Sequence, residues 1–451
     1  MQTQRDHVHA HTFMMGRLSS ALVEGDPTSA EIPGRRALTG VLLGILVVVL
    51  VAGGFAVYGW IVPGGSKAFR QAGAILVEKE SGNRYVYLDG MLRPTPNLTS
   101  AMLVQGASAK VKLISQNSLK NIPRGPAIGI PGAPQTVPTG KNVLSGPWLT
   151  CLPGSVVENP PDGLGVNLDP RATSEPLAAD RFSVVRGGGD TYLIALGRKF
   201  LVDDDAVLVA LGAANVRPTR APQMWLDWLP DGPALAPAKV PGAGSNGPKV
   251  GSRRYPVGTL FRQRPAAGDE QLFVLRRDGL APMSRTEFLL ADADRGGEPV
   301  ELDAAAIVDA PRSTDRSLTT RLPDLAALRW QDPGDRVLCL LQKPIAKDAF
   351  GSLPVFTTRA QSAVTDQGKP FVYARPATGM VVAPLPQASQ FRVESSLISD
   401  EGVAYPLADQ QTVSALKLDR VGLVPFPRSL LAALPQGPLL SRAAVAGGSG
   451  R

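Results

Sequence analysis

One stretch of the chain is apolar without interruption. No charged residue occurs between Arg36 and Lys67, and residues 37–62 read ALTGVLLGILVVVLVAGGFAVYGWIV. About 20 such residues, wound as a helix, cross the hydrocarbon core of a bilayer, so this run predicts a membrane span with some tilt. Tyr58 and Trp60 stand at its C-terminal end, where amphipathic rings favour the headgroup level, and Arg35 and Arg36 flank the other end. A cleaved signal has an apolar region of about 7–15 residues followed by a small-residue site. This run is longer and lies behind a 36-residue leader, so it reads as an uncleaved anchor.

The leader, residues 1–36, carries a second pattern. Val8, His11, Met15, Leu18 and Leu22 follow one another at steps of three and four, which predicts an amphipathic helix, and Gly25 to Pro27 close it. A helix this short buries its stripe only against a partner or a lipid surface. His7 and His11 share a face, but no carboxylate or thiol follows at ligand spacing. They read as solvated or partner-facing residues and not as a metal site.

Beyond the anchor the periodicity changes from helical to alternating. RYVYLDGMLRP (Arg84 to Pro94) reads as a strand, a turn and a return strand, and LFVLRRDGLAP (Leu272 to Pro282) and SLISDEGVAYP (Ser396 to Pro406) repeat it. A looser copy, TYLIALGRKFL, runs from Thr191 to Leu201. Gly90, Gly197, Gly279 and Gly402 are expected to supply a positive φ for each tight turn. The prolines at 94, 282 and 406 are expected to end the pairing of the return strand. Copies so far apart do not make a solenoid. They suggest β-rich lobes on a shared core, at residues 69–106, 181–248, 254–311 and 396–431. Residues 121–154 and 322–344 are then core segments, and 443–451 a flexible tail.

Composition narrows the function. The 451 residues carry a net charge of +8, but the Lys and Arg are scattered, unlike the basic footprint of a nucleic-acid groove. The three histidines all precede the anchor, so the large C-terminal part has none. That removes histidine-based triads and histidine-ligated metals there. Cys151 and Cys339 are the two cysteines. They fit one disulfide in an oxidising compartment, with two buried free thiols as the alternative. The disulfide reading places the leader in the cytoplasm and residues 63–451 outside. A bridge closing so long a loop would stabilise by about 5 kcal/mol, less any strain.

Phosphate chemistry is weakly represented. VPTGKN (Val137 to Asn142) has a Gly-Lys, but Gln135 stands where a P-loop needs glycine and Asn142 where it needs Ser or Thr. Asp203, Asp204 and Asp205 follow an apolar strand, but read as a solvated acidic turn, since no P-loop matches them and calcium-loop spacing is absent. No catalytic residue, metal or cofactor is assigned.

The leader QTQRDHVHAHTFMMGRLSSALVEGDP, the single anchor, RYVYLDGMLRPTPNLTSA, IPRGPAIGIPGAP, the WLTC and VLCLL segments and VPFPRSLLAALPQGPLLS occur in an order that resembles the EccB family. These are membrane core components of actinobacterial type VII (ESX) secretion systems. The resemblance implies a mainly β fold with some α. It would have a single N-terminal transmembrane helix and an elongated extracytoplasmic domain of four diverged β-rich repeat lobes around a disulfide-stapled core. It implies a single-pass inner-membrane protein with a cytoplasmic N-terminus that braces and oligomerises a secretion channel. The implied partners are the motor ATPase EccC, EccD, EccE, a mycosin protease and further copies of itself. Family members are often labelled ATPases, so ATP hydrolysis is the alternative and ATP the only cofactor in question. A cell-wall-binding module is the second alternative.

Overall fold

A computed structural model describes residues 4–23, 25, 28, 35–61, 67–153, 163–171, 173–265, 268–364, 371–388, 393–420 and 422–447. Two helices precede the folded domain, Gln4–Val23 and Arg35–Ile61. Within the second, Ala37–Gly59 is long and apolar enough to cross a membrane, and none of its most apolar window is buried inside the molecule. Its side chains meet no core of their own, which suits a lipid environment.

The rest of the chain is mainly β, and four of its sheets share one connectivity. In each, a first strand pairs antiparallel with a second, the second turns into a short third, a helix follows, and a fourth strand returns parallel to the first. The first sheet uses Ala74–Glu78, Arg84–Leu88, Met91–Pro94 and Lys110–Ile114. The second uses Arg181–Gly187, Asp190–Ala195, Arg198–Val202 and Thr219–Arg220. The third uses Leu260–Gln263, Gln271–Arg276, Gly279–Pro282 and Val300–Glu301. The fourth uses Gly379–Leu385, Ser395–Ser399, Ala404–Leu407 and Val424–Pro427.

The intervening helices start alike. Asn97, Asp204, Ser284 and Asp409 each stand just before a helix and accept a hydrogen bond from a first-turn amide, satisfying a donor the helix leaves free.

In each unit a downstream segment bridges the return strand and closes the sheet. Arg124 bridges Leu92, Asp231 bridges Lys199, Arg312 bridges Leu280 and Gln436 bridges Ala404, all parallel and all 32 positions on (92 to 124, 199 to 231, 280 to 312, 404 to 436). The four strands of the second sheet stay within their expected bounds, but the first and fourth sheets overrun theirs. The first continues through Lys110–Ile114 to Arg124, and the fourth begins at Gly379, ahead of residue 396. The returning fourth strands, of two to five residues, and the isolated bridges are too short to show a periodic signal, and Gly379–Leu385 is buried on both faces and so does not alternate.

The segment at 121–154, expected as core, is shared out. Val143–Leu144 joins the fourth sheet, and Trp148–Cys151 lies in a separate central sheet. That central sheet has six strands, in the order Val372–Tyr373, Gly165–Asn167, Trp148–Cys151, Val337–Ala346, Ala349–Thr357, Glu175–Pro176. Cys151 stands directly opposite Cys339 in antiparallel register, and the two form a disulfide with Cα atoms 4.0 Å apart. On the same strands the Trp148 indole donates to Gln342 Oε1 at 2.8 Å, so the buried ring leaves no orphan donor.

Apolar clusters fix which sheets touch. The first and fourth share one core, in which Ile75, Val86 and Leu103 meet Leu397, Val413 and Leu440. The second and third share another, where Leu290, Leu322 and Leu325 join Phe182 and Phe200. The central sheet meets the fourth through Trp148, Val382 and Phe426, and the second through Leu338, Phe356 and Trp225. Contacts thus run from the first lobe to the fourth, to the central sheet, to the second, to the third. Each buried side chain of this kind contributes about 1.5–3 kcal/mol.

Candidate assembly surfaces

The leader helix presents its apolar residues outward. Met15 is 55%, Leu18 61% and Leu22 79% exposed, and Val8 and His11 are also exposed. What the molecule buries on this helix is Gly16 and Ser20. His7 and His9 are exposed too. The helix therefore carries an apolar stripe that no described part of the chain covers. Tyr58 is exposed near the end of the membrane helix. Arg35, Arg36 and Trp60 are helical, but their side chains lie outside the described residues.

The four turn glycines all have positive φ, at +80° for Gly90, +70° for Gly197, +138° for Gly279 and +76° for Gly402. Their roles differ, which corrects the uniform turn expected from sequence. Asp89-Gly90 and Leu196-Gly197 are two-residue turns with both φ values positive, the arrangement whose twist matches the flanking strands. In the third lobe the turn residues are Arg277 and Asp278, since Arg276 pairs with Gly279. Gly279 is the first residue of the return strand, and a Cβ there would lie 2.1 Å from the Pro311 carbonyl oxygen. In the fourth, Ile398 pairs with Ala404 and Gly402 ends a longer turn. The prolines also differ. Pro94 and Pro282 are the last paired residues of their strands, but Pro406 is followed by the pair Ser395 with Leu407. Each tolerates the lost donor because its strand lies at one end of the sheet order.

The residues nearest to phosphate chemistry are not brought together. Lys141 is exposed in the short turn Gly140–Asn142, which leads into the fourth sheet. Asp204 caps a helix of the second lobe by accepting from Ala206 N at 2.8 Å. Among the described residues no group of three or more His, Cys, Asp or Glu is placed to hold a metal ion.

Several structural residues escaped sequence reasoning. Lys199 is buried, and its Nζ donates to the carbonyls of Leu226 and Leu229 at 2.8 and 3.0 Å and lies 3.1 Å from Asp231 Oδ1. Arg321 clamps the fully buried Glu287 with Nε and Nη2 at 2.6 and 2.7 Å. The Ser313 hydroxyl and the Thr314 amide both donate to Asp278, which holds that carboxyl below the usual range. The closing segment did leave a signal. Pro123-Arg124-Gly125, Pro230-Asp231-Gly232 and Pro435-Gln436-Gly437 repeat a Pro-x-Gly, with Pro311-Arg312-Ser313 as the variant.

The family described as type VII secretion system ESX-1, transport TM domain B, matches residues 1–448. The ESX-1 secretion system ATPase EccB1 of Mycolicibacterium smegmatis (strain MKD8) is 27% identical over 474 residues, covering 98% of this chain and 94% of that protein. The ESX-5 secretion system ATPase EccB5 of Mycobacterium marinum (strain ATCC BAA-535 / M) is 28% identical over 323 residues, 68% of this chain and 63% of that one. Among solved structures, a chain of an intact ESX-5 inner membrane complex superposes with a TM-score of 0.60 at 24% identity, covering 99% of this chain and 95% of its own. The EccB3 dimer from the ESX-3 core complex gives 0.58 at 24% identity, over 82% and 99%. These likenesses establish a common fold. With the family match running from the leader through the membrane helix, the repeated sheets and the bridged central sheet, this chain belongs to the EccB family of type VII secretion systems.

Proposed function

We propose that this chain is a structural subunit of a type VII secretion membrane complex, anchored by one helix and bracing the assembly through its extracytoplasmic lobes. The observation that carries the reading is the likeness, over 99% of the chain, to a chain of the ESX-5 inner membrane complex. The leader faces the cytoplasm and the large domain the other side. The Cys151–Cys339 bridge supports that orientation, because such bonds persist in oxidising compartments. Copies of the chain associate through the outer domain, and the motor ATPase EccC, EccD, EccE and a mycosin protease are its neighbours.

The ATPase name of the relatives has little to rest on here. Lys141 and the Asp203–Asp205 run belong to different sheets, and one of those carboxylates is already a helix cap. Repeated sheets with many outward faces suit a scaffold better than a catalyst.

The leader stripe supplies the test. Replacing Met15 and Leu18 by Glu in the full chain puts charges on a face that must lose water to dock. Co-purification of the neighbouring subunits should fall at least tenfold, while the thermal unfolding of the outer domain stays unchanged. Undiminished co-purification overturns the proposed role of the leader.

A further inference from the structure

The four lobes act as internal controls for one another. The closing-segment residue at the bridge to the return strand is Arg124, Asp231, Arg312 or Gln436. Three of these are tied down within the molecule. Arg124 lies over the Tyr85 ring, 5.5 Å from its centroid. Asp231 pairs with the buried Lys199. Gln436 Nε2 donates to the Leu431 and Leu434 carbonyls, both at 2.8 Å. Arg312 is exposed, and its guanidinium has no partner among the described residues. Four positions on, the exposed Arg316 guanidinium has none either.

Both arginines line a groove of about 300 Å³ in the third lobe. It opens where the strands Gln271–Arg276 and Gly279–Pro282 run out, and its apolar lining includes Phe273, Leu280, Met283 and Ile307. One carboxylate also lines it. Glu270 is held by Arg262 and Arg264 at 3.0 and 3.4 Å, so it is not free to neutralise Arg312 or Arg316.

We infer that this groove is a docking site for an acidic peptide segment of a partner protein, one that seats an apolar side chain against Phe273, Met283 and Ile307 and places carboxylates on Arg312 and Arg316. Charge complementarity selects the occupant: two unpaired guanidinium groups are forks suited to carboxylates, and their field steers an anion toward the opening. The lining mixes polar and apolar surface, with Phe273 half-buried beside the arginines. That suits a peptide carrying both carboxylates and an apolar side chain over bare phosphate, which has no apolar group to place there. This site is additional to the scaffold role and does not depend on it.

A displayed random heptapeptide library, panned on the full-length protein in nanodiscs, tests the inference. The counter-target is the same protein carrying Arg312→Glu and Arg316→Glu. Enrichment of sequences with at least two Asp or Glu around a Leu, Met or aromatic residue is expected. A synthetic copy of the enriched peptide should bind at least tenfold more weakly to the variant, and more weakly at high salt. Ile307→Ala, which keeps the arginines but removes part of the apolar lining, should weaken it as well. Both arginines are exposed, so an unchanged unfolding midpoint checks that the variant is folded. No enrichment, peptides without acids, equal binding to the variant, or full displacement by millimolar inorganic phosphate each overturns the inference.

Discussion

The Pro-x-Gly of the closing segment answers a contact made by a single side chain. A Cβ at Gly437 would lie 2.2 Å from Tyr405 Cε1, and one at Gly232 2.2 Å from Phe200 Cε1. In the third lobe the glycine is replaced by Ser313, and the residue at the matching place on the return strand is the small Ala281. Size on one segment is balanced against size on the other, as close packing requires. Gly437→Ala should therefore cost about 1–3 kcal/mol by overpacking. Gly90→Ala, where nothing lies within 4 Å, loses only its positive-φ freedom, about 1–2 kcal/mol. Denaturant titration of the two variants measures the difference.

Tyr405 makes a second prediction. Burial, then the charges of Glu401 and Asp400, raise its phenol above the usual range. A raised value means the neutral ring is the folded form. Its stability is fully present below the ordinary tyrosine value of about 10 and is lost as pH rises through the folded one. The unfolding midpoint should fall above pH 10, and Tyr405→Phe should remove part of that fall. Tyr192, raised for the same leading reason, accounts for a remainder.

Among the elements, the helix Arg285–Arg295 shows how a lobe is locked to its own loop. Ser284 caps it, and Glu287 in its first turn accepts both nitrogens of Arg321. Glu287 is 0% exposed, so removing its partner leaves a charge without solvent. Arg321→Ala should destabilise by about 3–5 kcal/mol, whereas the pair Arg321→Ala, Glu287→Leu should recover much of the loss. Chemical denaturation of the single and double variants checks it. The leader is the opposite case, an element whose exposed stripe has no counterpart among the described residues, which is why its test is co-purification and not stability.

At the scale of the molecule, the central sheet joins segments far apart in the chain. Its disulfide spans 188 positions, and the lobes meet it from two sides, through the second and the fourth. Replacing Cys151 and Cys339 by Ser should lower stability by about 2–5 kcal/mol, read as a lower unfolding midpoint of the full chain. The lobe sheets contain neither cysteine. Circular dichroism at 25 °C should thus keep its β signal in the variant.

The sequence alone determined the membrane helix, the leader helix and the strand–turn–strand units, because each is a local pattern whose period fixes which face is apolar. It also carried the order of segments from which the family is recognisable. Only the tertiary structure decided the register of each turn, the short fourth strands, the closing segments and the pairing of first lobe with fourth and second with third. Those depend on contacts between residues dozens to hundreds of positions apart, made by strands too short to print a period. The groove with Arg312 and Arg316 belongs to the same class. An arginine in a sequence does not show whether it has a partner; that is decided by what the folded chain brings beside it.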